Sequence, residues 1–135
     1  MESIIAYHGT GLAMGAAGGL LFLQLLVADI AGMRVKRIPG APVEPDHDSF
    51  LFRSSRALGN MNESVAIFII FTLVGILSAA DPVWLGRLTW LYVITRAAYM
   101  LCYWFNIKLM RSVFFGVSFL ALLGLGIVMV GGLIG

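Results

Sequence analysis

Charge and cysteine are what this sequence has least of. Asp, Glu, Lys and Arg make up 12% of the 135 residues, about half the share usual in a soluble domain. Apolar residues make up 60% and mean hydropathy is +0.95, so an ordinary soluble globular domain is excluded. The nine basic and seven acidic residues leave a net charge of only +2, embedded in apolar sequence, which argues against a nucleic-acid-binding surface. The lone cysteine, Cys102, has no intrachain partner and rules out a disulfide framework. Proline is confined to positions 39, 42, 45 and 82, leaving the long apolar runs free to be helical. No basic leader region or A-x-A-like cleavage site is evident, so no separate signal peptide is expected. No polar stretch is long enough for a second domain, so a single membrane domain over residues 1–135 is expected.

Four apolar segments are present, at about residues 4–33, 49–80, 83–106 and 111–134. Their lengths suit a hydrocarbon core of about 30 Å, and the short connections predict an all-α, up-and-down bundle of four transmembrane helices. In the first segment Gly11, Gly15 and Gly19 recur every four residues, a spacing that lets another helix approach closely in lipid. The first connection, IPGAPVEPDHD, is proline-rich and extended. Its His47 reads as a solvated loop residue, and no metal site is expected. Asp48 or Ser49 can cap the second helix, and Asp81-Pro82 is a turn with Pro82 at the first helical position. Trp84, Trp90 and Trp104 suit interfacial depth. Arg34, Lys36, Arg37, Arg53 and Arg56 lie in or beside the first connection and Lys108 and Arg111 beside the third, against Arg87 at the second. The positive-inside rule therefore predicts cytoplasmic first and third connections, with both termini on the other side.

The polar residues are not scattered. Arg56, Asn60 and Glu63 stand at i, i+4 and i+7, which at about 100° per residue is one helix face. Seventeen residues without an ionisable side chain, Ser64 to Ala80, follow. Arg96, Tyr99 and Tyr103 make a second stripe at i, i+3 and i+7. Counting back from the 81–82 turn puts Glu63 about 26 Å, Arg96 about 20 Å and Tyr99 about 24 Å along their helices. The three share a layer, with Asp29, Arg56, Asn60 and Tyr103 nearer the cytoplasmic surface beside Arg111. Mutual neutralisation, Glu63 with Arg96 and Asp29 with Arg56, is one reading. A functional site is the stronger one, because buried ion pairs often stabilise less than apolar residues of equal volume and polar groups at this depth usually serve function.

Arg56-Ala57-x-x-Asn60-x-x-Glu63 resembles the R-A-x-x-N-x-x-E signature of the MAPEG superfamily, the membrane-associated proteins in eicosanoid and glutathione metabolism. Tyr99-x-x-x-Tyr103, followed eight residues later by Arg111-Ser112, is similar to the third-to-fourth-helix segment of its leukotriene-C synthase and microsomal glutathione transferase branches. The resemblance implies a homotrimer that binds glutathione at the subunit boundary and acts as a transferase or peroxidase on a hydrophobic electrophile from the bilayer. By position, Arg34 and Arg56 would hold glutathione carboxylates, Asn60 and Glu63 the γ-glutamyl end, and Tyr99 and Tyr103 would line the pocket. Arg111 would lie near the sulfur with Ser112 as a donor. A bacterial inner membrane or an endoplasmic reticulum suits these connections equally. Two other readings stay open: a non-catalytic lipid-binding scaffold on the same fold, and a proton-coupled transporter using Glu63. The transporter lacks a polar path through the opposite half of the bundle.

Overall fold

The computed structural model describes residues 1–135, Ser3 in its backbone only. It is all-helical: α1 (Glu2–Ala6), α2 (His8–Arg34), α3 (Phe50–Leu77), α4 (Pro82–Trp104) and α5 (Lys108–Ile134). The first apolar segment is not one uninterrupted helix. Tyr7 breaks it with φ −99° and ψ 13°, and the Tyr7 hydroxyl donates to the Ala80 carbonyl, so α1 is latched to the α3–α4 turn. The last helix starts a turn earlier than position 111, leaving three residues between α4 and α5.

The helix ends follow from local chemistry. The Ser49 Oγ accepts the Phe52 N–H at 3.4 Å, and Asp81 Oδ1 accepts from Val83 and Trp84 at 2.9 and 3.0 Å, with Pro82 opening α4. Three C-termini share a Schellman closure. Arg37 donates to Gly32, Ala80 to Gly75 and Ile107 to Cys102, while the preceding residues bond one turn back. The left-handed residue in each is not glycine but Lys36, Ala79 or Asn106, with φ between 54° and 57°.

The central pair is α3 and α4, which pack on each other and on both flanking helices; α2 and α5 share no substantial interface. The core draws Ala13 and Ala17 from α2, Met61 and Phe68 from α3, Leu85 and Tyr92 from α4, and Leu125 from α5. Phe68 stacks on Tyr92 with ring centroids 4.4 Å apart. Where α5 closes on the 78–81 turn, a Cβ at Gly132 would stand 2.6 Å from Ser78 Oγ and 2.9 Å from Ala80 Cα, so only glycine fits. Gly11, Gly15 and Gly19 of α2 face outward, with nothing within 4 Å of a Cβ placed there. They pack against nothing in this chain.

Helices α2, α3 and α5 are long and apolar enough to cross a membrane, and leucine, isoleucine and phenylalanine dominate the outer surface. The protein is an integral, multi-pass membrane protein. Helix α4 is the least apolar of the four long helices, bearing Arg87, Arg96 and a series of threonines and tyrosines, and it buries the most residues. The bundle has a polar end, with the 35–49 connection and the 105–107 turn, and an apolar end, with the 78–81 turn and both termini.

Candidate functional site

On α3 the buried face carries Ala57, Asn60 and Met61, and Arg56 and Glu63 flank it as exposed residues. Asn60 is therefore the member of that stripe that enters the bundle. Opposite it, α4 buries Arg96, Tyr99 and Tyr103, exposed by only 2%, 4% and 6%. Arg96 donates through one terminal nitrogen to Asn60 Oδ1 at 2.7 Å and through the other to Ser118 Oγ on α5 at 3.5 Å. Its guanidinium carbon lies 4.3 Å from the Tyr99 ring centroid, within cation–π range. Both hydrogen-bond partners are neutral. The Glu63–Arg96 neutralisation considered as one reading is not formed; the contact is with Asn60, one turn before Glu63 on α3.

A cavity of about 180 Å³ opens beside this contact. Asn60, Glu63, Ser64, Arg96 and Ser118 supply its polar lining; Ile67, Phe115, Phe119 and Leu122 supply an apolar side. Ser64 Oγ is also 2.8 Å from the hydroxyl of the fully buried Tyr92. Behind the cavity, Ala57, Tyr99 and Tyr103 form a small cluster backed by Phe114. The two tyrosine rings meet edge to face at 5.2 Å, and the Arg111 guanidinium covers Tyr103 at 4.4 Å. One terminal nitrogen of Arg111 is buried without a hydrogen-bond partner, as is Nε of Arg96.

The chain thus gathers five of the eight residues singled out from sequence: Asn60 and Glu63 in the cavity, with Tyr99, Tyr103 and Arg111 in the wall behind. Arg34, Arg56 and Ser112 are exposed and line neither. Asp29 does not meet Arg56; it opens on a separate groove of about 410 Å³ with Arg37 and Pro39, where Arg37 is tied back to the Ala41 carbonyl. Ser118 and the Ser64–Tyr92 pair were not foreseen. A serine among apolar residues carries no periodic signal, and these become visible only once α3, α4 and α5 are set side by side.

Chemically, the cavity offers an amide, a carboxylate, two hydroxyls and the Arg96 guanidinium next to a hydrocarbon-like wall, and Arg96 and Arg111 each keep one nitrogen without a hydrogen-bond partner. Such a lining is complementary to a group that carries both signs of charge next to an apolar one. A volume of about 180 Å³ is below the 300–1,000 Å³ typical of a complete small-molecule site. Comparison with protein families matches residues 10–131 to the MAPEG family. Comparison with individual curated proteins gives no match.

Proposed function

Because the chain belongs to the MAPEG family, whose members are membrane proteins of glutathione and eicosanoid metabolism, we propose that it is a glutathione-dependent transferase or peroxidase. In this reading its four long helices all cross the membrane, it acts as a homotrimer, and the hydrophobic electrophile comes from the bilayer. The observation that carries the reading is the cavity where Asn60 and Glu63 face the apolar side chains of Phe115 and Phe119.

Glutathione has two carboxylates, an ammonium and a thiol, and these residues are complementary to it. Glu63 accepts from the ammonium and Asn60 holds the rest of the γ-glutamyl head. The exposed Arg56 and Arg34 stand free to meet carboxylates at the subunit boundary, which accounts for their absence from the cavity of a single chain. Tyr99 and Tyr103 wall the site. A thiol of pKa about 8.5 is mostly protonated at neutral pH, so a cation near the sulfur raises the nucleophilic fraction. The unpartnered donor of Arg111 supplies that cation, and Ser112 stands one residue on for a second donor. The thiolate then attacks the electrophilic carbon, forming the S–C bond as the leaving group departs with its electron pair. With a hydroperoxide the thiolate attacks the terminal oxygen, forming an S–O bond as the O–O bond breaks; the alkoxide takes up a proton and leaves as the alcohol, and a second glutathione thiol converts the sulfenic acid to glutathione disulfide and water.

Millimolar glutathione is expected to raise the unfolding temperature of the detergent-solubilised protein, with the shift diminished in Arg56→Ala and Glu63→Gln. Absence of any shift in the wild type would overturn the reading.

A non-catalytic lipid-binding role is favoured by a different observation. An almost wholly apolar groove of about 540 Å³ runs along α3 and α5 at the apolar end, between Phe71, Leu123 and Ile127. On that reading Arg111→Ala leaves cellular function intact, and polar substitutions along this groove abolish it.

A further inference from the structure

Building on the glutathione reading above, we infer that Arg96 is a positioning residue: it fixes which way round Asn60 presents its amide, and so makes that part of the cavity wall a hydrogen-bond donor.

A guanidinium has five N–H donors and no acceptor. With Arg96 at 2.7 Å, the Asn60 side chain must therefore turn its carbonyl oxygen toward α4. The opposite orientation would set amide donors against guanidinium donors in a place where neither has water. Arg96 is itself held from three sides, by Asn60 on α3, the Tyr99 ring on its own helix and Ser118 on α5. The Ser118 hydroxyl donates to the Phe115 carbonyl at 2.9 Å, which leaves its lone pairs for Arg96. Three helices thus fix one guanidinium, and the guanidinium fixes one amide.

With its oxygen committed, Asn60 has only its NH2 group left for the cavity. Glu63, one turn along the same helix and on the same cavity, contributes a carboxylate that only accepts. Residues three apart on a helix have Cβ atoms about 5–6 Å apart, a separation suited to the carboxylate and ammonium of one α-amino acid head. The donor side selects a free α-carboxylate. A primary carboxamide there would spend its oxygen on Asn60 and bring its own N–H groups against the remaining donors.

The test compares glutathione with its analogue in which the γ-glutamyl α-carboxylate is a carboxamide, by equilibrium binding to purified protein. Wild type is expected to prefer glutathione. Asn60→Asp keeps an oxygen on Arg96 but turns an acceptor into the cavity. It should lose at least tenfold in glutathione affinity and reverse the preference. Arg96→Met should raise KM for glutathione and flatten the preference while kcat at saturation holds, and Arg96→Lys should restore part of the selectivity. Unchanged selectivity in Asn60→Asp overturns the inference. A second measurement needs no ligand: Asn60→Asp should raise the unfolding temperature, because Arg96 gains an anionic partner, and this gain should vanish in the Arg96→Met background. The same gain in both backgrounds overturns the contact. Failure of wild type to bind either ligand overturns the functional reading, and the ligand-free comparison still decides the Arg96–Asn60 contact.

Discussion

The two ends of this bundle are stabilised by different means. At the apolar end the helices approach through missing side chains: Gly132 lies against Ser78 and Ala80, and Gly75 against Leu85. Apart from the Tyr7 hydroxyl on the Ala80 carbonyl, polar groups there such as Thr72 and Thr89 bond to their own helix backbone. At the polar end the contacts run between helices through side-chain polar groups, Arg96 to Asn60 and Ser118 and Arg53 to the Trp104 carbonyl. Close backbone packing leaves no space between helices, whereas the polar contacts leave donors unused and a cavity open. One end is closely packed, and the other gives up packing for a polar recess.

That contrast can be broken in order of expected effect. Arg111→Ala should lower kcat/KM for glutathione-dependent turnover by about 10²–10³, the usual loss for one charge-stabilising donor, with little change in thermal unfolding. Phe68→Ala, which empties a fully buried site stacked on Tyr92, should do the converse and destabilise by about 3 kcal/mol or more. Thermal unfolding in detergent reads that loss. Gly132→Val should cost about 1–3 kcal/mol through overcrowding against the Ala80 backbone and leave glutathione affinity near wild type. Gly15→Leu lies on the outward stripe; it should leave helical content unchanged while weakening subunit assembly, read by native mass or crosslinking. Smallest of all, Ala79→Gly relieves a left-handed alanine and should stabilise by about 0.5–1 kcal/mol.

Much of this contrast is written in side-chain periodicity. Arg56, Asn60 and Glu63 on one face, and Arg96, Tyr99 and Tyr103 on another, are legible because a helix repeats every 3.6 residues whatever surrounds it. The Asp81-Pro82 cap is equally local. The Tyr7 break is different, because it is coupled to a hydroxyl contact with a residue 73 positions away. The Schellman closures at Lys36 and Ala79 escape a reading that waits for glycine at C′. The partner of Arg96 was also out of reach. Counting residues along two helices fixes depth to about a turn, and Asn60 and Glu63 differ by less than that. Finally, a glycine stripe signals close approach without saying to what, and the outward direction of Gly11, Gly15 and Gly19 emerges only from the folded chain.

The low apolarity of α4 bears on how the protein reaches its membrane. A helix carrying Arg96 in its middle gains little by partitioning into lipid alone, since an arginine near the bilayer centre opposes insertion by about 2.5–3.5 kcal/mol. The acceptor that offsets Arg96 is Asn60 on the preceding helix, and the tight Asp81-Pro82 corner holds those two helices side by side. If α4 crosses the bilayer with the other three long helices, α3 and α4 are expected to leave the translocation channel as one hairpin, with Asn60 and Arg96 shielding each other on the way in.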